Sequence, residues 1–128
     1  PRENIQKWML RGSEISQKHI QIFSRTLLDN HIQPPISSDA CITDSTTSPF
    51  SDKLTLFHMS LLSAAGSGNY ATAAAASQRS DLILNYERLS LEIAQYAKDG
   101  ADIVISNGWL EQPPGTLDKE QLIRKKDC

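Results

Sequence analysis

The residues of this 128-residue chain that could bind a metal or move a proton are three histidines, His19, His31 and His58, and a scatter of carboxylates. A di-metal site inside a helical bundle needs a Glu on each of two helices and a Glu-x-x-His pair on each of the other two, all facing inward. This chain lacks that pattern. Glu14 is followed three residues on by Gln17, Glu87 by Ser90 and Glu92 by Gln95, and from Asp52 to Gln78 no carboxylate follows Asp52 itself. None of the histidines has a second His or a carboxylate at the helical spacing of a metal pair. His19 and His58 fall on or beside apolar stripes, where a histidine serves as a core or interface residue with satisfied ring nitrogens. His31, just before Gln33, is expected at the surface.

Nucleophilic chemistry fares no better. Gly66-Ser67-Gly68 resembles a nucleophile elbow only superficially, because no strand precedes it, and it fails as a phosphate loop because no Lys-Ser/Thr follows. These glycines are expected instead to let a neighbouring helix approach closely. Cys41 lies in a polar linker and Cys128 at the last position, too few and too far apart for a disulfide framework or a metal knuckle. Ser77-Gln78-Arg79-Ser80-Asp81 reads as a helix cap, and Trp109 and Tyr86 as anchors that pack bundle ends. No catalytic, cofactor-binding or metal-ligating residue is therefore expected.

The elements that hold these residues are helical. From Glu3 to Asn30, apolar residues recur at Ile5, Trp8, Met9, Ile15, Ile22, Phe23, Leu27 and Leu28, a helical stripe with Gly12 filling a turn. Pro34-Pro35 cannot continue a helix, so the stop falls at Asp29-Asn30 with His31 and Ile32 in the turn. Residues 36–51, rich in Ser, Thr and Asp, read as an irregular crossing segment. Ser51 can cap a second helix from Asp52 to about Gln78, bulky in its first half and small in its second. Ser80-Asp81 offers a fresh cap for a third helix, reached by a tight reversal and running to about Ser106, where Asn107-Gly108 is a left-handed stop.

Asn30-His31-Ile32-Gln33-Pro34-Pro35 and Asn107-Gly108-Trp109-Leu110-Glu111-Gln112-Pro113-Pro114 repeat one order of events: helix stop, apolar residue, Gln, two prolines. An offset of 77 superposes Met9 on Tyr86, Gly12 on Leu89, Ser16 on Ile93, His19 on Tyr96, Phe23 on Gly100 and Leu27 on Val104. The second unit has a partner helix before it and the first does not, so one helix of an expected four is missing upstream of Pro1. The opening Pro in place of Met fits a fragment. The expected architecture is all-α: an up-down bundle over residues 1–114, two hairpins joined by the 36–51 crossover as in ferritin-like folds, then a flexible charged tail over 115–128.

Composition agrees with a single globular domain: 39% hydrophobic and 22% charged residues, with 13 basic against 15 acidic side chains for a net charge of -2. Such a balance offers no electrostatic footprint for nucleic acid or an anionic membrane, and Arg124-Lys125-Lys126 reads as a solvated tail. No signal-peptide core or bilayer-length apolar run is present, and the sparse cysteines suit a reducing, cytoplasmic compartment.

Pro49-Phe50-Ser51-Asp52-Lys53-Leu54, Leu61-Leu62-Ser63-Ala64-Ala65-Gly66, the stretch from Gly68-Asn69-Tyr70 to Ala75, Arg79-Ser80-Asp81 and the segment Asn107 to Pro114 together carry a resemblance. The chain resembles a family of uncharacterised proteins of endospore-forming bacteria with a ferritin-like four-helix bundle, often two in tandem, some described as spore coat proteins related to spore coat protein F. The resemblance covers nearly the whole chain and implies a non-catalytic structural or interaction protein of the sporulating cell, located in the cytoplasm or the spore coat. Its partners would be further copies of itself or other coat proteins, with no nucleic acid and no membrane. It supplies no catalytic residues. The competing expectation is a ferritin-like metal-binding or oxidase-type protein whose ligands are lost or lie outside this chain.

Overall fold

Three long runs free of interior proline form three α-helices: α1 (Arg2–Asp29), α2 (Asp52–Ala76) and α3 (Ser80–Ser106). The computed structural model describes residues 2–38 and 41–115, and no strand occurs among them. The charged tail expected from Asp118, with Arg124-Lys125-Lys126 and Cys128, lies outside the described residues.

The start of α2 is built as its sequence predicts. Ser51 is extended, its side chain accepts a hydrogen bond from the Leu54 N–H at 3.2 Å, and Asp52 stands in the first turn. α2 ends at Ala76, short of Gln78, because Ser77 turns extended and its N–H and Oγ both bond back to the Ala73 carbonyl. The expected Ser80-Asp81 cap is corrected: Arg79 is the capping residue and gives no side-chain cap, while Ser80 is already helical. Arg79 is engaged elsewhere. Its guanidinium grips Asp81 through two bonds of 3.1 and 2.7 Å and donates to Asn30 Oδ1 at 3.0 Å, tying the α2–α3 reversal to the end of α1.

Both Pro-Pro segments follow the same backbone stop. At the end of α1, His31 donates to the Leu28 carbonyl at 2.9 Å and Ile32 to Leu27 at 2.9 Å, with His31 left-handed at φ 59. At the end of α3, Gly108 donates to Ile105 at 2.9 Å and Trp109 to Val104 at 3.0 Å, with Gly108 at φ 65. These are two Schellman motifs, and each of their residues is related to its counterpart by the 77-residue offset. The repeat is thus a repeat of geometry.

The pairing of residues sets the helix directions. Ser67 meets Ser90 and Tyr70 meets Tyr86, so α2 and α3 are antiparallel and pack most closely. Trp8 meets Tyr96 and Phe23 meets Tyr86, so α1 is also antiparallel to α3. α1 and α2 therefore run parallel and touch least, with the crossover from residue 30 to 51 returning the chain to the starting end. The core sits where the starts of α1 and α2 meet the end of α3: Ile5, Trp8, Leu56, Tyr96 and Val104, with half-buried Met9, Met59 and Trp109 against them. Two glycines let α1 and α3 close. A Cβ at Gly12 would lie 2.2 Å from the Tyr96 hydroxyl oxygen, and one at Gly100 would lie 2.5 Å from the Trp8 ring. Each helix thus carries an aromatic and a glycine four residues apart, and each aromatic lies over the other helix's glycine.

Candidate functional site

Because α1 and α2 both pack on α3 and hardly on each other, a groove of about 690 Å³ opens between them. α1 lines it from successive turns with Gly12, Ile15, His19 and Phe23, α2 with Met59, Leu62, Gly66 and Tyr70, and α3 forms the floor with Ile93 and Tyr96. Pro35 to Ser38 of the crossover border it. A smaller hollow of about 230 Å³ lies beside Met9, Phe50, Leu54 and His58.

Polar chemistry in the groove centres on His19, which is buried at 4% exposure. Its Nε2 lies 2.9 Å from Glu92 Oε2 on α3, and its Nδ1 lies 3.3 Å from the Tyr70 hydroxyl on α2. In the neutral tautomer that suits both partners, Nε2–H donates to the carboxylate and the Tyr70 O–H donates to Nδ1. Lys18 also donates to Glu92, and these bonds, Lys18 first and His19 second, hold the Glu92 carboxyl below its ordinary range. Around His19, Phe23, Tyr70 and Tyr86 form an aromatic cluster with ring centroids 5.0 to 5.7 Å apart. At the other end of the groove Trp8 stacks on Tyr96 at 4.3 Å and 4°, and its Nε1 donates to the Tyr96 carbonyl at 3.0 Å.

This arrangement ties three helices together. Both nitrogens of His19 are occupied. Burial, followed by repulsion from Tyr86, raises the pKa of the Tyr70 hydroxyl, which makes it a poorer nucleophile. Burial likewise pushes Tyr96 up to about 12. The Tyr96 hydroxyl and Ser60 Oγ are buried without any hydrogen-bond partner. No group of three or more His, Cys, Asp or Glu side chains that could hold a metal ion comes together among the described residues.

Of the residues weighed from the sequence, His19 is the buried, doubly satisfied histidine its stripe implied. His58, expected like His19 to be a core or interface residue, is instead exposed at the smaller hollow; His31 is exposed at the end of α1, as expected, and Cys41 is an exposed free thiol. Glu14 and Glu87 are exposed, so of the three glutamates tested only Glu92 reaches the interior face. Trp109 is half-buried against the core and Tyr86 joins the aromatic cluster, both as anchors. The close approach expected at Gly66 and Gly68 does not occur within this chain: a Cβ at either would meet nothing within 4 Å. α3 packs instead on the face of α2 that carries Ser60 and Ser67, which leaves Gly66 on the groove wall and Gly68 exposed. Sequence reasoning missed the Glu92–His19–Tyr70 link because its members are 73 and 51 residues apart.

No helix among the described residues is long and apolar enough to cross a membrane. No curated protein and no solved structure matches the chain. A family model described as a protein of unknown function (DUF3231) matches residues 2–122. With that match spanning all three helices, the chain belongs to the DUF3231 family.

Proposed function

We propose that the protein is a non-catalytic structural component, of the spore-coat type, that works by presenting its helical faces to other proteins. The observation that carries this reading is the open apolar groove between α1 and α2. α3 is antiparallel to both helices, so the vacant corner opposite it suits one more amphipathic helix, antiparallel to α1 and α2. That helix would complete the alternating square of a ferritin-like four-helix bundle. Leu62 and Ile20, exposed at 51% and 61% on the groove walls, would be covered by it. The polar groups beneath support a packing role, since both His19 ring nitrogens already have partners and the adjacent Tyr70 hydroxyl has a raised pKa. The reading expects assembly with further copies of this chain or with other coat proteins.

Leu62→Glu tests it. The side chain is half exposed in the chain alone, so the substitution should leave helicity intact while placing a charge in the seat of the incoming helix. In sporulating cells, a fluorescent fusion of the wild type should collect at the forespore surface and the Leu62→Glu fusion should stay diffuse. Equal localisation of both, or stoichiometric iron or manganese bound by the purified chain, would overturn the proposal.

A further inference from the structure

A second surface, separate from the groove, lies on α2. A surface helix ordinarily turns a charged or polar face to solvent, so one whose exposed side is uncharged and carries large apolar residues suits a contact. From Leu54 to Ala76 α2 has no Asp, Glu, Lys or Arg, yet only Leu56 and Ala74 are buried. Its outward face carries Leu54, Phe57 and Leu61, exposed at 51%, 56% and 59%, at spacings of three and four residues. The same stripe continues through Ala64 and Ala65 to Gly68, Thr72 and Ala75, all exposed. The stripe is bulky in its first half and small in its second, and the spacings mirror each other about the midpoint between Ala64 and Ala65.

We propose that this face pairs with the same face of a second copy, the two α2 helices lying antiparallel across a two-fold axis at Ala64 and Ala65. A two-fold contact requires a self-complementary patch. In this register Leu61 of each copy meets Gly68 of the other, Phe57 meets Thr72, and Leu54 meets Ala75, so every large residue faces a small one. The neutrality of the stripe favours its own copy, since no charge opposes another and none is buried unpaired. It also explains why Gly68 stands in mid-helix, where glycine costs about 1 kcal/mol relative to alanine and nothing in its own chain approaches it. A single helix pair falls at or below the roughly 1,200 Å² where stable interfaces begin, so the dimer should dissociate at micromolar concentrations.

Sedimentation velocity of the full chain over a concentration series tests the pairing. Expected is a reversible equilibrium between the 14.2 kDa chain and twice that mass. Gly68→Leu should weaken it about tenfold or more by overfilling the contact, without lowering the melting temperature of the monomer, because the added side chain enters open space there. Adding Leu61→Ala to that variant should restore dimerisation by exchanging large and small. Gly66→Leu, on the groove wall, should leave the dimer unchanged, which separates this contact from the filling of the groove. A chain that stays monomeric at all concentrations, a dimer untouched by Gly68→Leu, no recovery in the double variant, or disruption by Gly66→Leu would each overturn the proposal.

Discussion

At the scale of single residues, the interior is decided by which buried polar atoms find partners. The Tyr96 hydroxyl finds none, and an orphaned buried hydroxyl costs on the order of 1–3 kcal/mol. Tyr96→Phe keeps the stacking on Trp8 and should raise the stability from urea titration at pH 7 by about 1 kcal/mol. The same burial lifts the Tyr96 pKa to about 12. The unfolded chain therefore releases that proton first, near the ordinary phenol value of ~10, and wild-type stability should fall as pH rises from there towards 12. Tyr96→Phe should lack that share of the loss. Glu92 works in the opposite direction. Its lowered carboxyl pKa contributes stability above the ordinary carboxylate value, about 4.3, that disappears as pH falls through its folded value. Glu92→Gln should thus cost about 1 kcal/mol at pH 7, and the cost should shrink as pH falls below the ordinary carboxylate range; a cost that stays constant down to the acid unfolding of the chain would refute the link. The burial of His19 was legible because it lies on an apolar stripe, and so was the failure of the Glu-x-x-His pattern. Its partners were not, since Glu92 and Tyr70 reach it only after three helices pack.

At the scale of elements, the two helix stops share one hydrogen-bond plan but differ at the residue that must turn left-handed. Gly108 adopts φ 65 freely, whereas His31 carries a side chain into φ 59, which costs roughly 1–2 kcal/mol. His31→Gly should therefore raise the melting temperature, offset in part by the larger backbone entropy of glycine in the unfolded chain, and Gly108→Ala should lower it by a comparable amount. His31 is exposed and the stop is closed by backbone hydrogen bonds, so thermal unfolding of the two variants reads chiefly the backbone term. These stops were legible in the sequence, since Pro-Pro and Asn-Gly act through local geometry alone. The start of α3 was not. Ser80 has the composition of a cap, but the Arg79 ion pair with Asp81 and the bond to Asn30 place the boundary one residue earlier. The glycines divide the same way. Gly66 and Gly68 stand out in the sequence beside an alanine run yet have open space where a Cβ would stand, while Gly12 and Gly100 are inconspicuous and carry the α1–α3 contact.

At the scale of the whole molecule, the three helices are unequally attached. α2 and α3 form a hairpin closed by a three-residue turn and packed along its length through Leu56, Ser67, Ser90 and Ala74. α1 is held chiefly to α3, by the Trp8–Tyr96 stack, the His19–Glu92 bond, the aromatic contact of Phe23 with Tyr86, and ion pairs of Arg11 with Asp99 and Lys18 with Glu92. Those ion pairs are partly exposed and contribute little individually. With the groove open on its α2 side, α1 lacks the second neighbour that α3 has, and elements with fewer buried contacts open at lower free energy than the global transition. Amide exchange should therefore show α1 exchanging before α3, with α2 following α3. Trp8→Ala should widen the gap by removing the largest side chain α1 places in the core, a loss of about 3–5 kcal/mol borne mainly by α1. A helix seated in the groove would give α1 its missing neighbour and bring its exchange into line with α3. Exchange of all three helices in a single step, in the wild type and in Trp8→Ala alike, would instead mean that α1 and the hairpin unfold as one unit.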